Sequence, residues 1–214
     1  QLLYGTSTGI VGTVRIEEST FTGNSVDGRM ILQNNLMQHP FIAAGGAIYS
    51  TGSLTVSDST FRDNSVLKSG GAIAAFGPAT VTRSTFTGNA AGSYGSAIHS
   101  DSITITGSTF TGNQGDGSRG VVNLGGTSTI SASTFRDNVA HPIDVSDGQV
   151  TVEDTRISGT SGVSAQGSIF VVGGTLMLNR SRITDNTSGS AGAIKIGSGG
   201  RVEVRDSVLS DNMT

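Results

Sequence analysis

The sequence predicts an all-β protein, a right-handed, single-stranded parallel β-helix (a solenoid) of about eight coils with roughly 25 residues each. The first observation is a repeat: STFTGN at residues 19–24 returns twice, and the variant STFRDN occurs twice more. The second is periodicity, because the apolar residues around each copy alternate in steps of two, as in a strand. The third is that Gly, Ser, Asn and Asp separate these short runs, as they do at turns.

The repeat keeps one register along the chain. Taking the Phe of STF as the reference, its equivalents are Phe21, Phe61, Phe86, Phe110, Phe135, Ile157, Ile183 and Leu209. An apolar residue precedes each by five positions, and Asn follows at the third position in seven of the eight copies. Stacked coils would place the Phe and aliphatic side chains in ladders that fill the interior. The Asn residues stand at turns, where Asn can tolerate a left-handed backbone, and we expect their side chains to pair with the coils above and below.

A second motif begins each coil. It reads GGAI at 45–48 and 70–73, GSAI at 95–98 and AGAI at 191–194, with weaker versions between. Each coil is predicted to hold two or three strands of three to five residues. Residues 1–214 therefore form one β-helix domain, interrupted by a loop insertion at 25–44. Neither end shows a polar cap over its open coil, so we expect a segment of a larger extracellular protein.

Composition limits the partners. The net charge is −3, with 35% hydrophobic and 14% charged residues and no Cys. We therefore predict no nucleic-acid partner, since that needs a basic surface. We also predict no membrane-spanning segment, because no apolar run approaches the roughly 20 residues that a spanning helix needs. No cofactor is predicted, and no metal site, because the His residues share no ligand spacing.

The pairing of GGAI with FxxN resembles the repeats of the chlamydial-type polymorphic outer-membrane proteins over essentially the whole length. The resemblance is most specific at 45–64, 70–89 and 95–113, where both motifs are intact. Chlamydial members are Cys-rich, and this chain differs in having none. The resemblance implies an autotransporter-like adhesin: a non-enzymatic, structural β-helix at the cell surface or outside the cell, associated with the outer membrane if bacterial. Its partners would be a cell-surface receptor, a glycan or neighbouring protein subunits, including copies of itself.

A polysaccharide-active lyase or hydrolase is the alternative function. Such chemistry uses two carboxylates on one groove, roughly 5–9.5 Å apart. Asp185 and Asp211 occupy equivalent positions in adjacent coils and are the candidate pair. Asp is also a common turn residue, so the same pair can be purely structural.

Two further features are candidate binding sites. One is an outward Thr ladder in five successive coils, which would suit an ice- or surface-binding protein but is also common on exposed strands: Thr55, Thr80, Thr104, Thr129 and Thr151. The other is the 25–44 insertion, whose apolar residues would pack on the solenoid or on a partner: Met30, Ile31, Leu32, Leu36, Met37, Phe41 and Ile42.

Overall fold

A computed structural model describes residues 12–26, 44–115, 120–162 and 166–214. Within these ranges the chain has 25 strands and no helix. The strands before residue 100 are β1 (Thr13–Glu17), β2 (Thr20–Thr22), β3 (Ser25–Val26), β4 (Ile48–Ser50), β5 (Ser53–Ser57), β6 (Thr60–Arg62), β7 (Ser65–Val66), β8 (Ile73–Ala75), β9 (Ala79–Thr82), β10 (Thr85–Thr87), β11 (Ala90–Ala91) and β12 (Ile98–Ser100).

The remaining strands continue the same succession. They are β13 (Ile103–Thr106), β14 (Thr109–Thr111), β15 (Gln114–Gly115), β16 (Val122–Leu124), β17 (Thr127–Ser131), β18 (Thr134–Arg136), β19 (Ile143–Val145), β20 (Gln149–Glu153), β21 (Arg156–Ser158), β22 (Ile169–Asn179), β23 (Arg182–Thr184), β24 (Ile194–Arg205) and β25 (Val208–Ser210).

Every strand pair is parallel, and equivalent strands of successive coils stack. The first stack contains β4, β8, β12, β16 and β19, and the second contains β1, β5, β9, β13, β17 and β20. The two join into one sheet through the long strands β22 and β24. The third stack contains β2, β6, β10, β14, β18, β21, β23 and β25, and the fourth contains β3, β7, β11 and β15. The predicted all-β parallel solenoid is confirmed, with four strands in some coils instead of two or three.

The number of complete turns is slightly smaller than predicted. The first stack aligns Ile48, Ile73, Ile98, Val122, Ile143, Ile169 and Ile194, which corresponds to about six full turns. The third stack nevertheless aligns all eight reference positions, from Phe21 to Leu209. The predicted register is therefore correct, and the eight coils include incomplete ones at both ends of the described chain.

The Phe ladder supplies the largest fully buried side chains of the interior. Phe61, Phe86, Phe110 and Phe135 are fully buried. Neighbouring ring centroids, from Phe21 onwards, are 4.9, 4.8, 4.8 and 4.6 Å apart, and the rings are within 6° of parallel. These distances match the spacing of hydrogen-bonded strands, about 4.8 Å, so the backbone imposes the ring spacing. Alternating aliphatic residues of the first two stacks complete the core.

The Asn ladder binds adjacent coils together at the end of the third stack. Asn89 Oδ1 accepts hydrogen bonds from the backbone N and from Nδ2 of Asn64, at 3.1 and 2.9 Å. Its own Nδ2 donates to Phe61 O and to Asn113 Oδ1, both at 3.0 Å. Asn64, Asn89, Asn113 and Asn138 are fully buried. The predicted amide pairing between coils is confirmed.

The ladder Asn residues in the described chain do not use the left-handed backbone that Asn tolerates. The positive φ belongs to the residue immediately before each ladder position, which is Gly or Asp in every coil: Gly23, Asp63, Gly88, Gly112, Asp137, Gly159, Asp185 and Asp211. Placing the turn one residue earlier leaves the Asn side chain directed inward, where its amide replaces the hydrogen bonds that the bend interrupts. Gly and Asp are among the residues that tolerate this conformation best.

Replacing Phe86 by Ala should remove one ring from the middle of the ladder and leave a cavity between two fixed neighbours. We expect a loss of about 3–5 kcal/mol in the free energy of unfolding, because the backbone spacing prevents collapse. Chemical denaturation measures it. Phe76→Ala is the matched control, since that ring is 37% exposed and should cost less. Equal losses for both variants would contradict an interior that depends on ring stacking.

Replacing Asn89 by Ala should leave donors of Asn64 and acceptors at Phe61 and Asn113 without these partners in a buried environment. Several unsatisfied groups at once should cost about 2–5 kcal/mol of unfolding free energy. Gln114→Ala, which removes an exposed amide from the neighbouring stack, should change it little. The melting temperatures of both variants provide the comparison. If Asn89→Ala melts at the same temperature as the wild type, the ladder is not stabilising.

Candidate binding surface

The structure places the two candidate carboxylates at turns on the surface. Asp185 and Asp211 are exposed and have positive φ, of 59° and 56°. They occupy the left-handed position that Gly fills in other coils, such as Gly88 and Gly112. This geometry accounts for Asp at both positions without a catalytic role, since short polar residues are suited to left-handed turns.

The Thr ladder lies in one register on the second stack, as predicted. Thr55, Thr80, Thr104, Thr129 and Thr151 are partners in successive strands. Thr80 and Thr104 are exposed, whereas the other three are half-buried. Sequence reasoning missed a second row of the same length on the third stack, made of Thr20, Thr60, Thr85, Thr109 and Thr134. The equal spacing in both rows shows that Thr is used generally on the outside of this solenoid.

Charged side chains near the Thr ladder pair with each other. Arg83 donates two hydrogen bonds to Asp58, at 2.7 and 2.6 Å, and Arg180 donates to both Asp154 and Glu153. The Arg83 hydrogen bonds lower the pKa of the Asp58 carboxyl, and those from Arg180 lower the pKa of Asp154. These pairs link adjacent coils on the outside, where exposed ion pairs add little to stability.

The apolar residues of the predicted insertion, Met30, Ile31, Leu32, Leu36, Met37, Phe41 and Ile42, lie outside the described residues. The strand that precedes them, β3, lies in the fourth stack beside a groove. That groove has a volume of about 430 Å³ and is lined mainly by small and aliphatic side chains, among them Val66, Leu67, Ala91 and Val139.

The outside of the first stack has a composition unlike any other face. Because side chains alternate along a strand, the middle residue of each three-residue strand points outward. In successive coils this outer row reads Tyr49, Ala74, His99, Asn123, Asp144, Phe170 and Lys195. The inward positions of the same strands repeat aliphatic and small residues, whereas the outer row changes at every coil.

The early part of this row carries a cluster of rings, which we call the aromatic shelf: Tyr49, Phe76, Tyr94 and His99. The Phe76 ring centroid is 5.6 Å from Tyr49 and 5.4 Å from His99. Tyr94 lies 5.8 Å from His99 on the same basis. Ala74, the row member between Tyr49 and His99, is fully buried. Its small side chain leaves the space in which the Phe76 ring rests against both neighbours.

The middle of the row is a buried hydrogen-bonded chain. His99 Nδ1 lies 2.8 Å from Asn123 Oδ1, and Asn123 Nδ2 donates to Asp144 Oδ1 at 2.9 Å. Ser146 Oγ donates to the same Asp144 oxygen at 3.0 Å. Because an amide oxygen only accepts, His99 Nδ1 is the donor and the ring orientation is fixed. Asn123 and Asp144 are buried in the next two coils of the row, so the chain supports the shelf by holding the His99 ring in place.

Sequence reasoning missed this network because it treated the His residues as unrelated. His141 precedes Asp144 by three residues, and its Nε2 lies 3.1 Å from Asp144 Oδ2, with both side chains fully buried. Gly120 N also donates to Nε2, at 2.9 Å. His99 and Asp144 occupy equivalent positions after the GGAI-type motif, so the repeat predicts that they align. The contact of His141 with Asp144 has no such repeat, because it depends on the bend of the chain just before β19. Complete burial of His141 and Asp144 denies a substrate access to this pair.

Among the described ranges, no group of three or more His, Asp or Glu side chains is arranged to hold a metal ion. Nor does any described helix have the length and apolar character needed to cross a membrane.

Replacing Asp144 by Ala should destabilise the outer row, because it removes the acceptor of Asn123 and Ser146 and the neighbour of His141. Leaving buried polar groups without partners should cost about 2–4 kcal/mol of unfolding free energy. Asp144→Asn keeps an acceptor oxygen and should lose less, and Asp101→Ala, at an exposed site, serves as the control. Denaturation gives the energies, and the His99 ring resonances in NMR should shift only for the Asp144 variants. Unchanged His99 resonances would contradict the supporting role.

Comparison with known proteins gives one family match. The model of the Chlamydia polymorphic membrane protein (Chlamydia_PMP) repeat matches residues 18–51, 58–75 and 83–101. Each matched segment contains both an FxxN and a GGAI-type motif, in coils that the structure stacks in register. No curated protein and no solved structure gives a significant match to the chain. Over residues 18–101 the chain is thus similar to the Chlamydia polymorphic membrane protein repeat, which confirms the resemblance predicted from the GGAI and FxxN motifs.

Proposed function

We propose that this chain is a non-enzymatic structural and adhesive β-helix of a cell surface or extracellular assembly. The match to polymorphic membrane protein repeats carries the proposal. A continuous stacked solenoid supports it, because repeat rods bind through extended surfaces formed by many coils. The family name suggests outer-membrane or surface association. A receptor, a glycan or neighbouring subunits would be the partner.

The face of the first stack supports a binding role more than the other faces do. Interior and turn residues recur from coil to coil because stacking requires it, so their repetition has a structural cause. The outer row from Tyr49 to Lys195 varies from coil to coil, and its members Tyr49, His99, Phe170 and Lys195 are partly exposed. Aromatic residues concentrated on one face are typical of binding surfaces.

The alternative, a polysaccharide lyase or hydrolase, has weaker support. Asp185 and Asp211 are exposed turn residues, and their conformation has a structural explanation. The Thr ladder likewise has a counterpart on another face, which weakens the proposal of a dedicated ice-binding surface.

Adhesion can be measured with beads coated with the folded chain and applied to a panel of cultured cells. We expect more retained beads than with heat-denatured protein, because binding needs the assembled coil surface. If beads with folded protein and beads with heat-denatured protein are retained equally on every cell type, the adhesive function is contradicted. In parallel, release of reducing ends from polysaccharides that is abolished by Asp185→Asn or Asp211→Asn would establish the enzymatic alternative.

A further inference from the structure

We propose that the aromatic shelf, Tyr49, Phe76, Tyr94 and His99, is a binding site for a neutral oligosaccharide chain. This inference rests on the proposed adhesive function and names the surface and ligand class through which it would act. The ligand would lie along the solenoid axis, across successive coils, with sugar rings against the faces of the shelf.

The distribution of aromatic residues is the first support. Among the described residues, five aromatic side chains belong to the Phe ladder, where they are needed for the core. The four others are Tyr49, Phe76, Tyr94 and Phe170, and all four have ring contacts at the outside of the first stack. The described part of the chain, with few aromatic residues, therefore concentrates its non-core rings on one face.

The exposure of these rings is the second support. Phe76 is 37% exposed, whereas the four later Phe residues of the Phe ladder are fully buried. Tyr49, Tyr94 and His99 are half-buried, so they are held in place while still presenting surface. Being fixed by strands β4 and β12 and by ring contacts, they would lose little conformational freedom on binding.

The chemistry of the shelf fits a neutral sugar. The C–H bonds on one face of a pyranose ring carry partial positive charge and are attracted to the negative face of an aromatic ring. Hydroxyl groups at the sugar's edge need both donors and acceptors. The Tyr49 hydroxyl supplies either, and His99, whose Nδ1 donates to Asn123, adds Nε2 as a second polar atom of the shelf.

The dimensions and charge favour this ligand over a protein partner. Tyr49 and His99 are separated by two coil steps, about 10 Å on the strand spacing, which is close to the length of two sugar units in an extended chain. No member of the shelf is an acid, an Arg or a Lys, whereas protein interfaces commonly anchor on Arg as well as aromatic residues. The neighbouring row residues Ala74 and Asn123 are buried, so the shelf is a small and neutral surface.

The test uses the whole chain and neutral tetrasaccharides of glucose, mannose, galactose and N-acetylglucosamine with extended linkages. Saturation-transfer NMR identifies a bound member, and calorimetric titration gives its Kd. Phe76→Ala and Tyr49→Ala should each weaken binding by about tenfold or more, as expected for aromatic anchors. Met177→Ala is the matched control: Met177 is 38% exposed but lies on the second stack, and its loss should leave Kd unchanged. Thermal melts establish that each variant is folded.

Absence of binding to all four tetrasaccharides, or unchanged binding in both shelf variants, would overturn the inference. The bead assay separates this from failure of adhesion itself. If wild-type beads adhere and Phe76→Ala beads adhere equally, the adhesive function stands and the shelf is not its site. If Phe76→Ala beads fail to adhere but glycosidase-treated cells still retain wild-type beads, the partner is a protein and the carbohydrate inference is wrong.

Discussion

Parallel stacking of coils at the spacing of hydrogen-bonded strands is the constraint on which this structure depends. It places each residue directly above its equivalent in the previous coil, so an interior side chain must pack against the equivalent side chains above and below it. Phe rings satisfy this by lying parallel at 4.6–4.9 Å, and aliphatic residues satisfy it by simple contact. The repeated hexapeptide is the sequence consequence of that geometry, with each position fixed by what lies above and below it.

The same constraint explains how polar groups survive in the interior. A coil must bend several times, and each bend interrupts the hydrogen bonding of the strands. At the end of the third stack, Asn side chains replace the missing bonds, as Asn89 does for Asn64 and Phe61. At its start, Ser hydroxyls do the same, with Ser84 Oγ accepting from Ser59 N and donating to Thr82 O. Both ladders are nearly fully buried, so the Asn amides and Ser hydroxyls need partners in neighbouring coils.

Outside the solenoid the constraint relaxes, and this is where the chain can carry specific function. Thr and Ser on the second and third stacks keep much of the repetition because β-branched and polar residues suit exposed strands. The outer row of the first stack does not repeat. Its rings and its buried His99–Asn123–Asp144 chain use different residues in adjacent coils, joined by contacts that only the stacked arrangement creates.

The sequence by itself determined the solenoid, its register and the identity of its core, because periodicity records directly which residues lie over one another. It also determined the Asn pairing, but not the backbone of the turn: whether the Asn or the preceding Gly or Asp takes positive φ depends on where the side chain must point. Only the tertiary structure decided which residues meet on the outside of the first stack. Phe76, Tyr94 and His141 stand at positions without a repeat signal, and their partners are distant in sequence, so no spacing could reveal that they join Tyr49, His99 and Asp144 on one face. Repetition encodes what stacks, whereas a binding surface arises where residues that do not repeat are brought together.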